Sequence, residues 1–160
     1  MTPIDRYRIE KHEGDYTTWP GKSRLWADDQ LLPEPVSGYV IEGQYDTPLG
    51  SLLITSYDCM YEEANSFLLI EPSGRVRAQA DLGVPYGSFL LHAHWPVDES
   101  TLALHYHGDQ FYTLSVRPGR WWELGQVRLA LEPCADWQGD ARMAASARQV
   151  ARKLVPHASN

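Results

Sequence analysis

The sequence has only two cysteines among its 160 residues, Cys59 and Cys134, and neither lies in a Cys-x-x-Cys pattern. This scarcity disfavours a disulfide-stapled secreted fold and predicts that both are small core residues. Long hydrophobic runs are also missing, since the longest, residues 67–70, falls far short of the roughly 20 residues that cross a bilayer. Together with a polar first segment that does not resemble a leader, these absences predict a cytoplasmic protein without a membrane span.

Catalytic signatures are absent as well. The chain contains no serine-hydrolase elbow, P-loop, dinucleotide-binding glycine motif, zinc ribbon or His-Glu-x-x-His sequence. A composition of 43% hydrophobic and 22% charged residues is that of one globular domain, which at this length buries enough apolar surface to fold without a cofactor. The sequence therefore nominates no catalytic residue and favours a non-enzymatic protein that needs no cofactor.

From Gly38 onward, short apolar runs alternate with turn residues, which is the rhythm of an antiparallel sheet. The turn Glu71-Pro72-Ser73-Gly74 illustrates the chemistry, because Pro and Gly suit the second and fourth positions of a type I turn. The pattern predicts a mainly β protein, an antiparallel β-sandwich or barrel-like meander within residues 39–131. The predicted strands are residues 39–45, 51–57, 66–71, 75–82, 88–95, 101–107, 110–117 and 126–131.

Two flanking segments complete the predicted single domain of residues 1–160. Residues 1–38 are rich in Trp, Pro and Gly and predict an irregular arm on the surface, anchored by Trp19 and Trp26. Residues 137–155 predict one C-terminal amphipathic α-helix. Its apolar face consists of Met143, Ala147, Val150 and Leu154.

Positive charge is missing from the whole stretch of residues 25–74, which contains no Lys, Arg or His. The same stretch holds nine acidic residues: Asp28, Asp29, Glu34, Glu42, Asp46, Asp58, Glu62, Glu63 and Glu71. Nucleic-acid binding needs clustered cations, so this distribution argues against it. The alternative to a functional role is that the acidic residues serve solubility alone.

An acidic surface is suited to steering a basic protein partner. The sequence therefore predicts a protein-binding module, in particular a cytoplasmic immunity protein or antitoxin that inhibits a toxin enzyme by direct binding. The residues predicted to form the partner-binding surface are Asp58, Glu62, Glu63, Asp98 and Glu99. A structural or assembly component is a further alternative, and the oligomeric state stays open.

Four of the six histidines lie within sixteen residues, as His92, His94, His105 and His107. Residues two apart in a strand share a face, so two neighbouring strands would present all four imidazoles on one side. Imidazole nitrogens bind Zn²⁺ or another divalent transition metal. The alternative function is therefore a small β-barrel metal-binding protein or metalloenzyme that uses this paired His-x-His face.

The turn that follows His107 decides what surrounds these histidines. A two-residue Gly108-Asp109 turn would place Tyr112, Leu114 and Val116 on the histidine side. A loop of odd length with a bulge would send those three residues into the core and leave the histidines beside Thr113, Ser115 and Arg117. Both alternatives are open from the sequence.

Overall fold

The computed structural model describes residues 1–57, 64–83, 89–119 and 126–134. Within these ranges the protein is mainly β, with three antiparallel sheets, one short 3₁₀ turn at Tyr16–Thr18 and no α-helix. In the same ranges no helix has the length and apolar character needed to cross a membrane. Cys59 and the predicted helix of residues 137–155 lie outside the described residues.

Twelve strands occur in the described part of the chain. In order they are β1 (Thr2–Pro3), β2 (Tyr7–Ile9), β3 (Leu25–Ala27), β4 (Gln30–Leu31), β5 (Val40–Thr47), β6 (Gly50–Ser56), β7 (Ala64–Ile70), β8 (Val76–Gly83), β9 (Leu91–Pro96), β10 (Thr101–Tyr106), β11 (Gln110–Pro118) and β12 (Val127–Pro133). The first sheet has the order β1-β5-β6-β7-β8, the second β12-β11-β10-β9, and the third β2-β3-β4. Strands β5 to β12 confirm the eight predicted strands within a few residues.

One hydrophobic cluster draws buried side chains from both larger sheets. The first sheet contributes Leu52, Ile54, Phe67 and Leu69, and the second contributes Leu102, Leu104, Tyr106, Leu114 and Val116. This cluster explains the alternation along β8, where half-buried and exposed side chains follow each other strictly. A strand that faces the core on one side and solvent on the other shows this period of two.

Within the first 38 residues, β2, β3 and β4 form the third sheet and β1 pairs with β5, so this segment is not the wholly irregular arm that the sequence predicted. Strands β2, β3 and β4 cover the outer face of the first sheet, where Tyr7 and Leu25 pack against Leu53 and Leu68. The first sheet is thus buried on both faces, which accounts for the continuous apolar runs in β6 and β7. The predicted anchors Trp19 and Trp26 are both half-buried.

The outer face of the second sheet carries its own apolar cluster. Trp95, Ala103 and Phe111 are buried there, and the half-buried Cys134 packs against them as a free thiol. Both faces of the second sheet therefore bury apolar side chains. This arrangement matters for the histidines, because an apolar neighbour in β9 does not by itself indicate the core side.

Candidate functional site

The register of the second sheet sends the four histidines to two different places. In the β9–β10 pair, His94 lies opposite Leu104, whereas Ala93 lies opposite His105. Directly opposed residues of an antiparallel pair point to the same face, so His94 shares the side of buried Leu104 while His105 points outward. The expectation that all four imidazoles share one face was wrong, since the structure brings three of them together.

A β-bulge in β9 places His92 with the outward group. The pairing passes from His105 opposite Ala93 to Tyr106 opposite Leu91, which leaves His92 as an extra residue. An extra residue interrupts the strict alternation of a strand and re-aims its side chains. As a result the ring of His92 lies 5.6 Å from the ring of His105.

The outward group, His92, His105 and His107, is named the histidine patch here. The ring centroids of His92 and His107 are 5.6 Å apart, and Nε2 of His92 lies 3.4 Å from Nδ1 of His107. The ring of His105 stacks on Phe111 at 4.3 Å, and its Nε2 is 3.4 Å from Oδ1 of Asp109. Phe111 and Asp109 thus fix His105 more firmly than its two neighbours.

The histidine patch does not arrange its nitrogens around one point. Among residues 1–57, 64–83, 89–119 and 126–134, no three His, Cys, Asp or Glu side chains are grouped so that they could hold a metal ion. A structural zinc site needs four converging ligands and a catalytic one needs three. The metal-binding alternative therefore stays a prediction. The described histidines contact one another two at a time and do not converge on a common point.

His94 occupies a built environment between the two larger sheets. The hydroxyl of Tyr45 donates to Nδ1 of His94 at 2.5 Å, and Nε2 of His94 donates to the carbonyl oxygen of Glu42 at 3.0 Å. These partners assign the proton to Nε2 of a neutral imidazole. The three groups are named the inter-sheet bridge, because they join β9 to β5.

Burial tunes the two titratable groups of the inter-sheet bridge in opposite directions. It lowers the pKa of His94, with a smaller opposing contribution from the Glu42 carbonyl, and it raises the pKa of Tyr45 to about 12. Desolvation disfavours the charged form in both cases. Near neutral pH the pair is therefore uncharged, which suits a structural hydrogen bond.

Two backbone features of β5 make room for His94. The register of β5 against β6 shifts between Ile41 and Gly43, so the bulge residue Glu42 has no opposed partner in β6. Gly43 lies directly under the ring, since a Cβ atom there would be 2.5 Å from Cε1 of His94. Sequence reasoning missed this site, and the glycine inside the predicted strand of residues 39–45 was its one visible signal.

The predicted partner-binding surface is placed only in part. Asp58, Glu62 and Glu63 lie outside the described residues. Oδ1 of Asp98 accepts hydrogen bonds from the backbone nitrogen of Ser100 at 2.8 Å and from its hydroxyl at 3.1 Å. Asp98 thus stabilises the turn between β9 and β10, and the neighbouring Glu99 is exposed.

The negative charge of residues 25–74 is partly neutralised by arginines that come from elsewhere in the chain. Arg6 and Arg8, which come from the first segment of the chain, form ion pairs with Asp28 (2.8 Å) and Asp29. All four side chains are exposed, so these pairs contribute little to stability. They nevertheless cancel part of the negative field that the sequence alone predicts.

An open groove of about 830 Å³ is lined by three acidic residues of this stretch. Asp28 lies in the turn between β3 and β4, Asp46 near the end of β5 and Glu71 directly after β7, while Arg6 and Arg77 also line the groove. We name it the acidic groove. Sequence reasoning missed it because the three residues are far apart along the chain. Asp46 and Glu71 lie at turns of the predicted sheet, whereas Asp28 lies in the segment predicted to be irregular.

Comparisons with protein-family models, with curated proteins and with solved structures find no match to this chain.

Proposed function

We propose that the protein is a non-enzymatic binding module that engages a basic protein, as an immunity protein or antitoxin does when it blocks a toxin enzyme by direct contact. The observation that carries the proposal is the acidic groove, where three carboxylates from separate parts of the chain line one concave surface. Complementary charge speeds the encounter with a basic partner and disfavours wrong partners. The proposal includes a cytoplasmic location, which fits two widely spaced cysteines.

The balance of charge inside the groove supports a cationic ligand. Arg6 is engaged with Asp28 at 2.8 Å, whereas the exposed carboxylate of Asp46 accepts only a neutral hydroxyl, that of Ser51, at 2.9 Å. Glu71 likewise accepts from the hydroxyl of Ser73. Both of these hydrogen bonds come from neutral donors. With three carboxylates against the guanidinium groups of Arg6 and Arg77, the lining has a formal net charge of −1, which favours a cationic ligand.

The one histidine–serine pair in the described residues has the geometry of a structural contact. Nε2 of His12 is 2.8 Å from Oγ of Ser23, a distance at which a base can activate a nucleophile. Ser23, however, is fully buried, and its hydroxyl donates to the carbonyl oxygen of Gly38 at 2.7 Å. These bonds join the segments that precede β3 and β5, so the pair has a structural role.

We also infer that the two larger sheets form a sandwich. One core cluster takes side chains from both sheets, and the inter-sheet bridge joins them at the β9 edge. Facing sheets that interdigitate in this way are the basis of sandwich folds. A sandwich presents its turns at its ends, which is where the acidic groove lies.

The proposal is tested on the partner recovered from the native organism, or on the product of the adjacent gene. A double variant, Asp46→Lys with Glu71→Lys, reverses two charges in the groove. We expect the association rate at low salt to fall about tenfold or more while the dissociation rate changes little. The control is Glu13→Lys, which reverses the charge of an exposed residue outside the groove and should leave association within about twofold.

A second variant, Glu62→Lys with Glu63→Lys, tests the surface predicted from the sequence. If only this variant slows association, the partner binds there and the acidic groove is not the site. Association that is unchanged in both double variants at low salt would discard the acidic-surface proposal. Circular dichroism of each variant checks that the fold is retained.

A further inference from the structure

A second groove of about 620 Å³ lies between the edges of β2 and β5. Its lining is mostly apolar and includes Tyr7, Ile9, Trp26, Tyr39, Val40 and Ile41. We name it the edge groove. It is separate from the acidic groove, with which it shares only Tyr7.

The backbone of β2 turns one set of hydrogen-bonding groups into the edge groove. Asp28 donates its backbone N–H to the carbonyl of Arg6, and Glu10 donates to that of Arg24. In an antiparallel pair this pattern alternates, so the backbone groups of Arg8 and Glu10 face β3. Arg6 directs its carbonyl to that side, while its N–H donates to Oε1 of Gln44 at 3.1 Å. The N–H and carbonyl groups of Tyr7 and Ile9 therefore point away from β3, toward β5.

The side chain of Gln44 already makes the hydrogen bonds that a neighbouring strand would make with one of these two residues, Tyr7. Its Oε1 accepts from the backbone nitrogen of Tyr7 at 2.9 Å, and its Nε2 donates to the carbonyl of Tyr7 at 3.0 Å. A carboxamide thus replaces the peptide group of a neighbouring strand. Within the described part of the chain, no group takes the corresponding place beside Ile9.

The floor of the edge groove is held rigidly by aromatic contacts. The hydroxyl of Tyr39 donates to the carbonyl of Pro20 at 2.9 Å. Its ring meets Trp19 edge-on at 5.1 Å and Tyr16 at 5.8 Å. A fixed aromatic surface costs little conformational entropy when a ligand binds, so such residues often dominate binding energy.

The rim of the edge groove carries one cation, Lys11, for which no ion pair with a carboxylate is found among the described residues. Glu10 accepts a hydrogen bond from the backbone nitrogen of Arg24 at 3.0 Å and lies 3.9 Å from its guanidinium. Arg8 is paired with Asp29. Lys11 is exposed and lines the groove, so the charge of the rim is complementary to an acidic side chain.

We propose that the edge groove binds an extended segment of a partner protein, which adds as a strand beside Ile9 and continues the pairing that Gln44 begins at Tyr7. Every second side chain of the segment packs on Tyr39 and Ile41, and an acidic side chain lies near Lys11. Main-chain hydrogen bonds supply affinity in this mode and alternate side chains supply selectivity. The inference rests on the proposed function only in taking the natural ligand to be a protein.

The test uses a display library of random twelve-residue peptides, panned on the wild-type protein and counter-selected on an Ile41→Asp variant whose circular dichroism is unchanged. We expect enriched peptides to carry apolar residues at every second position and at least one acidic residue. N-methylation of alternate backbone amides should weaken binding about tenfold or more, because each removes a donor to the edge. Lys11→Glu should weaken the binding of peptides with an acidic residue about threefold or more.

Hydrogen exchange provides a readout that side-chain packing alone would not move. The amide of Ile9 should exchange rapidly in the free protein and become protected when the peptide is bound. The inference is overturned if no peptide is enriched, or if binding survives N-methylation and leaves the Ile9 amide unprotected. The Asp46→Lys, Glu71→Lys protein should bind these peptides as the wild type does, so either proposal can fail without the other.

Discussion

His92 and His94 lie two residues apart in β9, and their surroundings differ in solvent exposure and in partners. His92 is exposed and touches other imidazoles, at 5.6 Å from both His105 and His107. His94 lies between the sheets, where it bonds Tyr45 and the carbonyl of Glu42. The pair teaches that pairing and bulges, rather than residue type, decide what a histidine does in a sheet.

The largest expected difference between the two regions concerns stability. His94→Ala leaves the Tyr45 hydroxyl and the Glu42 carbonyl without their partner and opens a cavity. We expect it to lower the free energy of unfolding by about 3 kcal/mol. The matched change His107→Ala, at an exposed site, should cost less than about 0.5 kcal/mol. Urea denaturation measures both, and equal losses would remove the distinction.

A smaller loss in the free energy of unfolding is expected when an added atom crowds the inter-sheet bridge than when the His94 side chain is removed. Gly43→Ala places a Cβ atom 2.5 Å from Cε1 of His94, so the ring must move, at a cost of about 2 kcal/mol. In a His94→Ala background the same substitution should cost much less, which a double-mutant cycle detects. Gly21→Ala is the control, since nothing lies within 4 Å of its added Cβ. Additive effects would contradict the proposed contact.

The pH dependence of stability should depend on His94. Its pKa in the folded protein is below the ordinary value of 6.5 because of burial. As the pH falls below about 6.5, the unfolded chain therefore takes up a proton first and stability declines, by at most about 1.4 kcal/mol per pH unit. Above that pH His94 contributes no slope. Unfolding measured from pH 8 to pH 5 should show a flatter profile for His94→Ala than for the wild-type protein, and equal slopes would contradict the prediction.

The smallest expected effect separates members of the histidine patch. The ring of His105 stacks on Phe111 at 4.3 Å, so His105→Ala should lower the free energy of unfolding by about 0.5–1 kcal/mol. His107→Ala removes only the contact with His92 and should cost less. Thermal unfolding of the two variants ranks them. A larger cost for His107→Ala would show that the patch is held together in another way.

The strands could be predicted because local turn chemistry bounds each of them. The turn after β7 is an example, since Gly74 donates its N–H to the carbonyl of Glu71 at 2.8 Å, as the Pro and Gly positions suggested. For the loop after β10, the sequence left two lengths open, a two-residue turn or a loop with an odd number of residues. Tyr106 pairs with Gln110 across three loop residues, so the odd-length alternative is confirmed and Leu114 and Val116 join the core.

The histidine faces could not be predicted, because two facts of tertiary structure override the alternation in β9. Trp95 indicated the core side, but it packs in a separate cluster on the outer face with Ala103. The bulge at His92 then shifts the alternation within the strand. The third sheet was missed for another reason, since strands of two or three residues are too short to show a period.

The carboxamide of Gln44 also bears on how the protein avoids self-association. An open strand edge is a template for aggregation, because it offers a row of unpaired backbone groups to a second copy. By completing the hydrogen bonds of Tyr7, Gln44 shortens that row without adding a strand. In β2 the outward-facing backbone groups that remain are those of Ile9, so this edge offers a second copy of the chain too few groups to template a continuous sheet.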